Sequence, residues 1–145
     1  MTEKKTLGLI SCTKAKQNYP CEASEMYSVS YLFEKAYQYC NKTYDNVGIL
    51  SAKYGFVLPS DKIAPYDITL NSMSSNQRED WAEKVFEQMQ TRLNLSSYKI
   101  VFFHAGKNYR EYLTEKFNDA NIITNTPLQN LTIGKQLQWY NNKLY

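Results

Sequence analysis

Three short apolar runs do most to limit what this chain can become. Leu7-Gly8-Leu9-Ile10, Val47-Gly48-Ile49-Leu50 and Ile100-Val101-Phe102-Phe103 each have the length and continuity of a strand buried on both faces. Stretches with helical spacing lie between and after them. Val29, Leu32, Phe33, Ala36 and Cys40 form one such set. Ser74 and Gln77 have the capping-box spacing and open a second helix, on which Trp81, Val85, Met89 and Leu93 make an i, i+4 stripe. Tyr109, Tyr112, Leu113 and Phe117 follow Gly106 as a third. A short strand is expected at Ile122-Ile123, and Ile133, Leu137, Tyr140 and Leu144 line one face of a last helix. Residues 12–26 are polar and lack a period, which reads as a long loop. Residues 51–73 contain Gly55, Pro59 and Pro65 and read as irregular.

Strand and helix therefore alternate, the pattern of an α/β fold with right-handed crossovers. The expected architecture is a three-layer, Rossmann-like domain spanning residues 1–145. Its sheet has four to five mostly parallel strands with helices on both faces. A chain of 145 residues is long enough to bury such a core. No apolar run reaches the length needed to cross a bilayer. Met1-Thr2-Glu3-Lys4-Lys5 leads into too short an apolar stretch for a secretory leader. Three cysteines, Cys12, Cys21 and Cys40, are an odd number without a C-x-x-C pair. That argues for a reducing, cytoplasmic setting and against a disulfide framework. With His104 they lack the close spacing of zinc ligands, so neither a metal nor another cofactor is expected.

Parallel sheets bind ligands beyond the carboxyl ends of their strands. The residues after the three runs are Ser11-Cys12-Thr13-Lys14-Ala15-Lys16, Ser51-Ala52-Lys53-Tyr54-Gly55 and His104-Ala105-Gly106-Lys107-Asn108-Tyr109. None of these segments contains an acidic residue. Lys14, Lys16, Lys53 and Lys107 would share one edge with the Gly106–Asn108 turn, a site for an anion. The plainer reading is four solvated loop lysines. No Walker-type glycine loop is present, which argues against a P-loop NTPase. Cys12 is placed to be a nucleophile and His104 to be a proton-transfer group. Alternatively, Cys12 is a small packed residue and His104 a hydrogen-bonded structural one. Segment 59–67, fixed by Pro59 and Pro65, could wall or cover the site. Tyr66 would then stack on a base and Asp67 would bind a sugar hydroxyl or an amine, while Asp61 and Asp67 equally well form turns. Tyr27 and Tyr54 could be base platforms, but an aromatic ring near a strand end is more often core packing.

Some of these residues resemble a known pattern. Ile49 through Val57, continuing to Pro59, Asp61 and Ala64-Pro65-Tyr66-Asp67, is similar to the hallmark stretch of a small uncharacterised bacterial and phage domain family. That family is itself distantly similar to the YaaA-like peroxide-stress proteins, which share a Tyr-Gly turn followed by a Pro-Tyr element. Its opening, a strand ending in Ser-Cys with lysines and a tyrosine before a helix, matches Ser11, Cys12, Lys14, Lys16 and Tyr27. Its close matches Pro127, Leu128, Leu131, Ile133, Gly134 and Trp139. The Cys-and-lysine opening also resembles the catalytic domain of archaeosine synthase. There the cysteine motif adjoins Lys-Pro-Tyr, whereas this chain has Lys16-Gln17-Asn18-Tyr19-Pro20, so that reaction is not carried over.

The resemblance implies an α/β fold and a working area of nucleotides and nucleic acids. The leading expectation is a small anionic ligand, a nucleotide or nucleobase, handled by a transferase or hydrolase. A non-catalytic nucleotide sensor or sequestering protein uses the same pocket. A DNA-binding stress-response protein is the third expectation. A net charge of +3 is too small to imply a nucleic-acid coat by itself.

Overall fold

The apolar runs pair with one another as the central strands of one sheet. The computed structural model describes residues 4–145. In chain order the first half holds β1 (Lys5–Ser11), β2 (Cys21–Glu22), α1 (Ala23–Met26), α2 (Tyr31–Thr43), β3 (Asn46–Ser51), β4 (Gly55–Val57) and β5 (Lys62–Ile63). The second half holds α3 (Ser75–Arg92), β6 (Tyr98–His104), α4 (Lys107–Asp119), β7 (Ile123–Asn125) and α5 (Ile133–Leu144). Five strands form the main sheet in the order β4-β3-β1-β6-β7. All its pairings are parallel except β3 with β4. This is the expected mostly parallel α/β sheet. Of the stretch read against a leader, Met1-Thr2-Glu3 lies outside the described residues. Among the described residues no helix is long and apolar enough to cross a membrane.

Strand alternation sorts the helices into two layers. Phe102 stacks on Tyr44, the residue after α2, with ring centroids 4.5 Å apart. Its neighbour Phe103 packs against Phe117 of α4 at 5.9 Å. Successive side chains point to opposite faces, so α2 and α4 cover opposite sides of the sheet. α5 joins α2, and α3 joins α4. The strand neighbours of β1 are β3 on one side and β6 on the other. The chain leaves β1 toward α2 and leaves β6 toward α4. The carboxyl ends of β1 and β6 therefore flank a topological switch point, where such folds open a crevice.

Local chemistry fixes the helix starts. Ser74 and Gln77 form the expected capping box, with the Gln77 N–H donating to Ser74 Oγ at 3.2 Å and the Ser74 N–H to Gln77 Oε1 at 2.9 Å. Ser30 and Thr132 cap α2 and α5 more simply, accepting from the Phe33 and Lys135 N–H groups. Trp81, Val85 and Met89 are buried as the stripe predicts.

Other expectations need correction. The stretch over 12–26 is a loop only in its first part. Its second part holds β2 and α1, because Cys21 and Ala23 find partners far along the chain. β2 pairs with β5, and the Ala23 and Ser24 N–H groups donate to Asp61 O and Pro59 O at 2.8 and 3.0 Å. The irregular stretch likewise contains β4 and β5, since each has a longer-range backbone to bond. Val29 precedes its helix and is 53% exposed, and Ile133 at the start of α5 is 65% exposed. Apolar spacing alone did not reveal that these positions have no partner layer.

Candidate functional site

Cys12 stands one residue beyond β1. Its N–H donates to Leu50 O at 2.8 Å, which carries the parallel ladder one step further and fixes the residue at the sheet edge. Its thiol donates to the hydroxyl of Tyr109 at 3.4 Å. Tyr109 lies in the first turn of α4, and the same hydroxyl accepts from the Leu70 N–H at 3.4 Å. The Tyr109 ring meets Trp81 edge-on at 5.7 Å, and Trp81 donates from Nε1 to Ser51 O at 3.0 Å. The phenol facing Cys12 is thus clamped from behind.

A chain of hydroxyls lies beneath. Ser51 Oγ donates to Tyr66 Oη at 2.9 Å, and the Tyr66 and Tyr27 hydroxyls bond at 2.7 Å. The Tyr54 N–H donates to Ser51 Oγ at 3.0 Å, and its ring meets Tyr66 edge-on at 5.8 Å. Burial pushes the Tyr27 phenol up to about 12. Burial, and then the nearness of Cys12, pushes the Tyr66 and Tyr109 phenols up as well. All three keep their protons at neutral pH and remain available as donors.

Cys12, Lys14, Lys16 and Asp67 line one cavity of about 350 Å³. Its volume falls in the range of small-ligand sites. Lys16 Nζ donates to Lys14 O at 3.1 Å and lies 4.6 Å from the centre of the Tyr66 ring. Both contacts hold the ammonium near the mouth. Segment 59–67 is tied down by the β2–β5 pairing and by a two-pronged Arg92–Asp61 ion pair, with Nη2 to Oδ1 at 3.0 Å, and reaches the cavity at Asp67 alone. Asp67, Thr69 and Asn71 line one side of the cavity. Asn108 Nδ2 donates to Asn71 Oδ1 at 2.8 Å and joins the start of α4 to it.

The remaining expected residues lie elsewhere. Ser11, His104, Gly106 and Lys107 line a second cavity, and Thr13 borders both. His104 donates to or accepts from the hydroxyls of Tyr44 and Tyr140, each at 2.7 Å. Burial lowers its pKa to about 4, so the ring is neutral at pH 7. It forms no hydrogen bond with Cys12 among the described residues, and Tyr109 occupies that place instead. Lys53 is exposed, with Nζ 5.4 Å from the Tyr54 ring, and borders neither cavity. Gly55 has φ +78° and makes the turn into β4, beside Gln88. Gln88 Oε1 accepts from the Phe56 N–H at 2.8 Å, and its Nε2 donates to Tyr54 O at 3.1 Å.

Sequence reasoning placed Tyr109 in the segment after the third run and on a helix stripe, but gave it no role beside Cys12. The signal was its position, three residues after the Gly106 turn and thus at a strand end. Thr13, Thr69 and Asn71 carried no pattern that set them apart.

Two curated relatives share part of the chain. A UPF0246 protein of Psychrobacter cryohalolentis is 32% identical over 85 residues, covering 55% of this chain and 32% of that protein. A UPF0246 protein of Crocosphaera subtropica is 30% identical over 80 residues, covering 51% of this chain and 32% of that protein. The matched segment spans about a third of each relative's length. No solved structure matches. The model of the family of unknown function DUF6884 matches residues 7–142, nearly the whole chain, and the chain belongs to that family.

Proposed function

We propose that the cavity after β1 binds a small anionic ligand, a nucleotide or nucleobase, and that Cys12 reacts with it as a nucleophile. One observation carries this reading: a thiol, two lysines and a carboxylate line the same cavity, and the thiol is bonded to a phenol held at the start of α4. Lys14 and Lys16 would attract the anionic group. Asp67 would accept from a ring amine or a sugar hydroxyl. Addition of the thiol across a C=N or C=C bond of the heterocycle forms one C–S bond and moves the thiol proton to the neighbouring ring atom. Nothing is oxidised or reduced, and no group leaves. Tyr109 and Tyr66 can carry that proton and donate hydrogen bonds to the thiolate. His104 has no part in the step, because both its nitrogens are bonded to tyrosines and its ring stays neutral. Three free cysteines suit a reducing, cytoplasmic setting. Duplex DNA binding has less support, since Lys14 and Lys16 line a concave cavity.

Intact-protein mass spectrometry after incubation with purine nucleotides and bases tests the proposal. Wild type should gain the mass of one ligand, and Cys12→Ser should bind the same ligand without a covalent adduct. A ligand bound by wild type but never attached or altered would leave a binding protein. No binding to either form would remove the ligand class.

A further inference from the structure

A second cavity of about 340 Å³ opens at the carboxyl ends of β1 and β6, at the switch point itself. Its floor is apolar, with Leu32 and Phe33 from α2 and Leu128 from the segment before α5. Lys107 and Arg110 stand at its rim, three positions apart and so on one face of α4. No Asp or Glu lines it. Among the described residues neither cation takes part in an ion pair, and the buried Nε of Arg110 meets no protein acceptor. A buried donor without a partner raises the free energy of the empty site, and a ligand oxygen would remove that cost. α4 also begins here, and the Lys107 and Asn108 N–H groups at its start lack backbone acceptors, while Tyr109 N–H donates to Gly106 O. Gln129 and Asn130 add amides that can pair with the polar edge of a ring.

We infer that this cavity is a second ligand site, for a phosphate monoester with a planar body. The dianion matches Lys107, Arg110 and the helix start, and the ring lies on the apolar floor. Thr13 is the one residue lining both cavities, so this site stands or falls apart from the chemistry of Cys12.

Isothermal titration calorimetry with adenosine and guanosine monophosphate tests it, with adenosine and inorganic phosphate as the two part-ligands. A monophosphate should bind more tightly than either part. Lys107→Gln and Arg110→Gln should each weaken it by about tenfold, the value of one charge-assisted hydrogen bond. Lys16→Gln, in the first cavity, should leave the Lys107- and Arg110-dependent binding step within about twofold, whatever it does to binding beside Cys12. Lys107 is exposed, so Lys107→Gln keeps the test readable if Arg110→Gln fails to fold. Weakening by Lys16→Gln alone would place the nucleotide beside Cys12 and overturn the second site. So would the absence of monophosphate binding, or equal binding by wild type and both α4 variants.

Discussion

The thiol of Cys12 and the hydroxyl of Tyr109 meet at 3.4 Å although 97 positions separate them in the chain. Tyr109 is protonated at neutral pH, so it can donate to sulfur once the thiol ionises. Tyr109→Phe removes that donor and keeps the ring against Trp81. Alkylation of Cys12 by iodoacetamide should slow by roughly tenfold, as for loss of one hydrogen bond to a charged group. Peptide mass spectrometry reads the rate, with buried Cys21 and Cys40 as internal references. An unchanged rate would separate Tyr109 from the reactivity of the thiol.

Tyr27 is fully buried, and its hydroxyl bonds to that of Tyr66. Tyr66→Phe takes that partner away and should lower stability by about 1–3 kcal/mol, the cost of a buried hydroxyl left unpaired. The Tyr27→Phe/Tyr66→Phe double variant should lose less than the two single losses combined. Urea unfolding of all four forms closes the cycle, and strict additivity would mean that the two hydroxyls are not coupled.

His104 gives a stability change with a fixed sign. Its folded pKa of about 4 lies below its ordinary 6.5, so between these values the unfolded chain binds more protons. Stability should therefore fall as pH drops from 6.5 toward 4 and level off below, a contribution of about 3 kcal/mol. His104→Gln should flatten that part of the pH–stability curve measured by thermal unfolding. The chain has one histidine, so proton NMR of its ring gives an independent reading. A ring that titrates near 6.5 in the folded protein would sink the prediction.

Gly55 and Gly134 should respond oppositely to alanine. At Gly55, φ is +78° and a Cβ would press into Gln88 Oε1, the acceptor for Phe56. Gly55→Ala should lower stability by roughly 2–3 kcal/mol, from the left-handed backbone and the displaced hydrogen bonds. Gly134, in the first turn of α5, has nothing within 4 Å of a Cβ. Gly134→Ala should raise stability by about 0.5–1 kcal/mol. Urea midpoints compare the two, and a stabilised Gly55→Ala would contradict the turn geometry.

The site was legible in part. Cys12, Lys14 and Lys16 were readable because they follow a strand directly, and strand ends are where a parallel sheet opens. Asp67 was readable because prolines hold its segment extended. The division of strand ends between two cavities was not readable. Ser11 and Cys12 are adjacent in sequence, yet they line different cavities, because the chain turns after β1 and carries Cys12 toward α4. Lys53 follows a strand as Lys14 does, but the hairpin into β4 leaves it on the surface.

By itself the sequence determined the layers. Apolar runs of strand length, helical stripes and a capping box are local signals, and burial and backbone hydrogen bonding act on them wherever the chain goes. It also determined where the chain could hold a ligand, since parallel strands share one direction. Only the tertiary structure decided the partners. It gave Cys12 a tyrosine in place of the histidine, set that histidine between Tyr44 and Tyr140, and brought Asp67, Thr69 and Asn71 to the cavity beside Cys12. Hydrogen-bond partners at 3 Å depend on the register and tilt of packed elements, and no pattern within one element encodes them.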